Sequence, residues 1–137
     1  MISTKTSGTA GLTPKRVERG TVAVSVGEGA RRNEVVVVGA VREAGSGVWL
    51  DPILEAVHRE AIERDLTEVV LDIRALEYAS SGMWQSVVNW MRRLREDRRA
   101  RYNVRVLSDP THRWQTVGMS SLRVFGADRL IVDSSRR

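Results

Sequence analysis

The segment from Val69 to Leu94 constrains the fold of this chain more than any other part of the sequence. It begins with an apolar run that ends at Asp72, continues through a short connection, and reaches Ala79-Ser80-Ser81-Gly82. From Met83 onward, apolar residues recur with a period near 3.6, which is typical of a helix with one buried face. The segment therefore predicts a buried strand, a connection and an amphipathic helix that begins at a pair of serines.

Strand-like and helix-like patterns alternate through the rest of the chain. Alternating valines over 21–26 and consecutive valines within 34–41 predict two strands joined as a hairpin. Asp51-Pro52 is a helix-start signal, and apolar residues follow it at helical spacing as far as Asp65. The remaining predicted elements are strands over 69–73, 104–107 and 130–132 and a helix over 111–122. This order predicts one α/β domain with a mixed β-sheet, a leading hairpin and helices mainly on one face.

Residues 1–19 are rich in Ser, Thr and Gly and are interpreted as a flexible N-terminal tail, which leaves 20–137 as the folded domain. No apolar run approaches the roughly 20 residues that span a bilayer, and the N-terminus lacks the apolar core of a secretory signal. The chain has no cysteine, which excludes disulfides and thiolate metal sites. We therefore expect a cytoplasmic domain with no membrane span.

The formal net charge of +5 comes almost entirely from arginine, because Lys5 and Lys15 are the only lysines. Many arginines lie at the end of the predicted helix that begins at the serines and continue into the next predicted strand: Arg92, Arg93, Arg95, Arg98, Arg99, Arg101 and Arg105. No series of aromatic residues and no helix-turn-helix pattern accompanies them. We interpret the cluster as a solvated face or a surface for an acidic protein, and a basic nucleic-acid-binding protein remains a distant alternative.

Patterns for catalysis and metal binding are weak. His58 and His112 form no metal-spaced pair, and no Gly-x-Ser-x-Gly or phosphate-cradling glycine motif is present. Spacing alone leaves open a triad of Ser80 with a histidine and an aspartate, and a carboxylate pair of Asp72 with Glu77. We expect a protein that is not an enzyme and that needs no metal or cofactor.

The order of elements, with Ser80-Ser81-Gly82 at the start of the helix after the third strand, resembles the STAS domain. That domain is the fold of the anti-anti-sigma factors and of related bacterial signalling modules, and the similarity covers about residues 21–133. Two further segments resemble a less-studied STAS-like subfamily of cyanobacteria and other bacteria, in which asparagine often precedes Ser-Ser-Gly. They are 39–53, with an aromatic just before Asp-Pro-Ile, and 108–122, with Trp114-Gln115 ahead of Ser121-Leu122.

The resemblance implies a non-catalytic protein that is regulated by phosphorylation. Its partner would be a kinase that is also an anti-sigma factor, or a related ATPase-fold protein, and a metal-dependent phosphatase of the PP2C type would reverse the modification. The unmodified form binds the partner and the phosphorylated form does not. Carried over by position, the phospho-acceptor is Ser80, with Ser81 as the backup. Anti-anti-sigma factors usually have aspartate immediately before the serines, where this chain has Ala79.

A phosphate at a helix N-terminus suits such a switch on physical grounds. It adds about −1.5 to −2 charges, which the helix dipole favours by roughly 0.3–1 kcal/mol, whereas a partner packed there would bury a dianion at far greater cost. The predicted docking surface consists of Ala79, Ser80, Ser81, Gly82, Met83 and Trp84.

The other interpretation of Ser80 is a hydroxyl that only caps the helix, which corresponds to a phosphorylation-independent scaffold of a signalling complex. Trp49 is assigned either to a loop anchor or to a contact within a homodimer. Trp114 is predicted to pack on the edge of the sheet.

Overall fold

The computed structural model describes residues 11–28, 32–42 and 45–134, and it contains a mixed β-sheet and a layer of helices. The strands are β1 (Lys15–Arg19), β2 (Val22–Val26), β3 (Glu34–Val41), β4 (Glu68–Asp72), β5 (Leu76–Ala79), β6 (Asn103–Leu107) and β7 (Leu130–Asp133). The helices are α1 (Gly47–Glu63), α2 (Ser81–Glu96) and α3 (Arg113–Gly126), and a short 3-10 turn (Ala127–Arg129) precedes β7. The predicted α/β class is confirmed.

The strands lie in the order β1-β2-β3-β4-β6-β7, and β5 pairs with β3. The first three strands are antiparallel, as the predicted hairpin requires, and the later neighbours are parallel. The first half of β3 pairs in parallel with β4, and its last residues pair in parallel with β5. The register of the β3–β5 pairing shifts between Gly39 and Ala40. Gly39 has φ +97°, and a Cβ there would lie 1.9 Å from the carbonyl oxygen of Thr21, so this shift requires glycine.

The three helices form one layer with α2 in the middle, because α2 packs against both α1 and α3. The parallel strands follow one another across the sheet in one direction, so right-handed crossovers place their helices on the same face. The core between the two layers is almost entirely apolar; its members include Val24, Val35, Leu54, Val57, Val69, Leu71, Met83, Val87, Trp90, Leu94, Val104, Val106 and Leu122.

Two boundaries differ from the sequence-based prediction. The predicted tail of residues 1–19 ends earlier, since Leu12 is buried and β1 occupies Lys15–Arg19; residues 1–10 lie outside the described part of the chain. Only Val17 within β1 is apolar, so this edge strand has no alternating pattern to reveal it. Helix α1 begins at Gly47 rather than at Asp51, because its first turn buries Leu50 against the core, and Pro52 lies inside the helix.

A buried chain of hydrogen bonds joins α1, α2 and the segment before β6. The indole N–H of Trp90 donates to the Tyr102 hydroxyl at 2.8 Å, and Nδ1 and Nε2 of His58 lie 2.6 Å from that hydroxyl and 3.0 Å from Asp97 Oδ2. These contacts are satisfied together when the hydroxyl donates to Nδ1 and the Nε2–H donates to Asp97. Burial lowers the pKa of His58 and raises the pKa of Tyr102, while hydrogen bonds from Arg99 and His58 lower the pKa of Asp97.

We expect Tyr102→Phe to reduce the free energy of unfolding by about 1–3 kcal/mol, because it leaves the Trp90 N–H and His58 Nδ1 buried without their partner. Urea unfolding followed by circular dichroism measures the change. Tyr78→Phe is the matched control: Tyr78 is 46% exposed, so its change should stay within roughly 0.5 kcal/mol. Equal effects of the two substitutions would show that the Tyr102 hydroxyl contributes nothing specific.

The lowered pKa of His58 also predicts how stability depends on pH. The folded domain takes up this proton less readily than the unfolded chain does, so the free energy of unfolding should be highest above about pH 6.5 and fall as the pH drops towards the folded pKa. Unfolding curves measured between about pH 7.5 and 5 test this slope. His58→Gln should flatten the slope; an unaltered slope in this variant would contradict the prediction.

Candidate functional site

Ser80 is the N-cap of α2, as the sequence predicts, but it lies inside the protein. Its extended backbone (φ −69°, ψ 165°) precedes the helix, and its Oγ accepts a hydrogen bond from the Met83 amide at 3.3 Å. Its own amide donates to the Val41 carbonyl oxygen at 2.7 Å. Ser80 is only 5% exposed, and its Oγ lies 3.4 Å from Oγ of the fully buried Ser46 at the start of α1. The predicted phospho-acceptor is thus enclosed where the starts of two helices meet.

The other predicted docking residues divide between surface and core. Ala79 and Met83 are buried, at 8% and 1% exposure, because β5 and the inner face of α2 turn them towards the core. Ser81 is exposed, and Gly82 and Trp84 are half-buried. A partner that docks on the folded domain can therefore contact Ser81, Gly82 and Trp84.

Trp84 forms one wall of a groove between α2 and α3. Its ring lies 6.1 Å from that of Trp114 in an edge-to-face arrangement, and the Trp114 ring is stacked on His112. A Cβ on Gly118 would lie 2.3 Å from the Trp84 indole, so the ring rests directly on the backbone of α3. The groove has a volume of about 440 Å³, and Ser81 lies at one end of it. Trp114 thus packs against α2, and its predicted packing on the edge of the sheet stays a prediction.

Gln115 holds α3 in the position that forms this groove. It is fully buried, and its Nε2 donates to the carbonyl oxygens of Ile73 and Leu76 at 2.9 and 3.1 Å. Its Oε1 accepts from the amide of Asp109 at 2.8 Å. The side chain therefore joins the β4–β5 connection to the beginning of α3. In the sequence, Trp114-Gln115 stands out only as part of a resemblance, because a lone glutamine carries no signal of burial.

Two exposed apolar residues lie near the buried serines. Val48, which is 84% exposed, follows Ser46 by two positions, and Tyr78 precedes Ser80 by two positions. The guanidinium carbon of Arg42 lies 5.7 Å from the centre of the Tyr78 ring. The region around the start of α2 thus presents apolar side chains to solvent, which is typical of surfaces that contact other proteins.

Two of the residues considered for catalysis, His58 and Asp72, are engaged in structural contacts. Both ring nitrogens of His58 contact Tyr102 and Asp97, so His58 is not the base of a Ser80 triad. Asp72 accepts two hydrogen bonds from the Arg74 guanidinium and one from its amide, in the turn that follows β4. Across the described ranges, no three His, Cys, Asp or Glu side chains are grouped so as to hold a metal ion. Nor does any helix there have the length and apolarity to cross a membrane.

The arginine cluster does not form one continuous surface. Three members make ion pairs: Arg93 with Glu55 on α1, Arg99 with Asp97, and Arg105 with Glu68 on the sheet. Arg92 lies over the Phe125 ring and Arg95 donates to the Phe125 carbonyl oxygen, so these two cover α3. Arg98 and Arg101 are exposed beyond the end of α2.

Comparison of this chain with protein-family models, with curated proteins and with solved structures yields no match.

We expect Gly118→Ala to destabilise the domain although alanine favours helix. The added methyl displaces the Trp84 indole, and overpacking of about 1–3 kcal/mol outweighs the gain in helix propensity of about 1 kcal/mol. In a Trp84→Ala background the same substitution should become stabilising, because the clash is gone. Urea unfolding of the unsubstituted chain, the two single variants and the double variant measures the change in the free energy of unfolding in both backgrounds. Destabilisation by Gly118→Ala that persists in the Trp84→Ala background would refute the contact.

Proposed function

We propose that this chain is a STAS-like, non-enzymatic bacterial signalling protein that binds a regulatory protein partner in the cytoplasm. The binding surface comprises Ser81, Gly82 and Trp84 at the start of α2. The partner is of the anti-sigma and serine-kinase type, with a PP2C-type phosphatase acting on the same site, so the chain acts as an anti-sigma factor antagonist or a relative of one.

One observation carries this proposal: an exposed hydroxyl at the start of α2 lies beside a groove and exposed apolar residues. Ser81 is exposed in the first turn of α2, where unpaired amides and the helix dipole favour negative charge. Trp84 lies one turn further along, in the wall of the groove. A phosphate on Ser81 would enter solvent without disturbing the core, and it would still have to be buried by a partner packed against Trp84.

The burial of Ser80 favours a second candidate, the phosphorylation-independent scaffold. Its hydroxyl caps α2 and lies against Ser46, so a kinase reaches it only after the starts of α1 and α2 separate. On this proposal the partner binds the same surface, and Ser80 serves stability alone. The nucleic-acid alternative is less favoured, since the arginines are dispersed and partly paired.

Site-specific photo-crosslinking in cells of the source organism tests partner binding. A photoreactive amino acid replaces Ser81 in one full-length variant and Thr67 in another; Thr67 is exposed in the turn before β4. We expect a defined adduct from position 81, identified by mass spectrometry, and none of that mass from position 67. The adduct should diminish by about tenfold in a Trp84→Asp background, because a carboxylate is placed in the apolar contact. The same adducts from both positions would overturn the proposal.

A second measurement separates the switch from the scaffold. The protein is incubated with ATP and the captured kinase-type partner, and phosphoserine is mapped by mass spectrometry. Phosphate on either serine, with loss of binding in Ser81→Asp but not in Thr67→Asp, supports the switch. No phosphate, with full binding by Ser81→Asp, supports the scaffold.

A further inference from the structure

The groove between α2 and α3 is bounded by two matching rows of residues. Ser81, Gln85 and Val88 recur at helical spacing along α2, and Arg92 and Arg95 continue that spacing beyond the groove. Along α3 the spacing gives Trp114, Gly118 and Ser121, followed by Phe125. Strands β4, β6 and β7 are parallel to one another, and α2 and α3 each run in the opposite direction to these strands. The rows on α2 and α3 therefore run side by side in the same direction. Arg92 and Arg95 reach across to Phe125 and connect the two rows at the far end.

The charge along these rows has a single sign. The carboxylates of the chain are numerous, yet Glu96, the last residue of α2, is the only acidic residue in either α2 or α3. The two helices carry five arginines: Arg92, Arg93, Arg95, Arg113 and Arg123. The apolar middle of the groove thus lies between the positive ends of two helix dipoles at one end and two exposed guanidinium groups at the other.

We infer that the groove binds an acidic amphipathic helix of a partner protein. The inference rests on the proposed function and specifies the chemistry of its partner. The rows from Ser81 to Arg92 span about 16 Å, which is about three turns of a helix. Apolar side chains of the docked helix, spaced i, i+3/4 and i+7, enter the groove and pack on the exposed side of the Trp84–Trp114 pair, beside Val88. Its carboxylates face Arg92 and Arg95 at one end and the start of α2 at the other.

Segments of this chain match the positive charge of the groove less well than an acidic helix of another protein does. Within residues 1–10 the only charged side chain is that of Lys5, and residues 135–137 contain two arginines and no carboxylate. Helix α1 of a second copy is acidic, but two of its four carboxylates are engaged within the domain: Glu55 is paired with Arg93, and Glu60 accepts from the Thr13 amide and faces Arg64. Charge complementarity therefore points to a different protein.

A peptide of defined sequence tests this chemistry directly. The probe is a hydrocarbon-stapled helix of about 14 residues, with leucines at i, i+3 and i+7 and glutamates at both ends. The matched peptide has glutamine for every glutamate. Titration into the full chain, monitored by amide chemical shifts, should show shifts at Trp84, Trp114 and Gly118. Binding should weaken by about tenfold for the glutamine peptide and again when salt rises from about 50 to 300 mM.

Variants of the protein test whether peptide binding depends on the groove or only on the net positive charge of the chain. Arg92→Glu should weaken binding of the acidic peptide by about tenfold, whereas Arg98→Glu, which changes the net charge equally outside the groove, should not. Ser121→Trp fills the groove and should abolish binding, with circular dichroism verifying the fold of each variant. Equal losses in Arg92→Glu and Arg98→Glu, or shifts confined to the loop of Arg98, would overturn the inference. So would retained binding by a folded Ser121→Trp, or self-association through α1 that competes with the peptide.

Two experimental outcomes distinguish partner docking at Ser81 from binding of an acidic helix in the groove. A partner that crosslinks at position 81 and is insensitive to salt and to Arg92→Glu would refute the acidic helix and leave the proposed function intact. Specific, salt-dependent binding of the acidic peptide with no adduct at position 81 would leave the groove assignment standing and contradict the proposed docking at the start of α2.

Discussion

The burial of the inner face of α2 is the constraint on which the rest of the structure depends. Met83, Val87, Trp90 and Leu94 are at most 1% exposed, and together they fix the middle helix of the layer to the sheet. From this position α2 directs Trp90 towards the hydrogen bonds with Tyr102 on one side and Trp84 towards α3 on the other. The buried hydrogen bonds of Trp90 with Tyr102 and the exposed groove beside Trp84 are therefore two consequences of the same rotation of α2 about its axis.

The sequence predicted those parts of the fold in which local pattern and burial agree. The valine-rich strands, the amphipathic α2 and the helix-start serines follow from periods of two and 3.6 and from capping chemistry. Strand β1 and strand β5 were missed because they are short and only partly buried, so their residues do not alternate. The start of α1 was misplaced because Asp51-Pro52 is a strong local signal, while the burial of Leu50 depends on packing against the rest of the domain.

The candidate site was predictable only as far as it is local. The role of Ser80 as a helix cap follows from neighbouring residues, and the structure agrees. Its burial depends on Ser46, which is distant in sequence and reaches Ser80 through the packing of α1 against α2. The contact of Trp84 with Gly118 and the hydrogen bonds of Gln115 to the β4–β5 connection are likewise products of tertiary structure. No periodicity in one sequence encodes such pairs.

The close approach of α2 and α3 depends on a side chain that is missing. At Gly118 a hydrogen atom stands where any other residue would place carbon, and this lets the Trp84 indole rest against the backbone of α3. The exposed residues around it, Ser81, Gln85 and Ser121, support no part of the core. Recognition could therefore be redirected to new binders by varying these rim positions in a library, with the glycine kept constant as the template that gives every variant the same cleft.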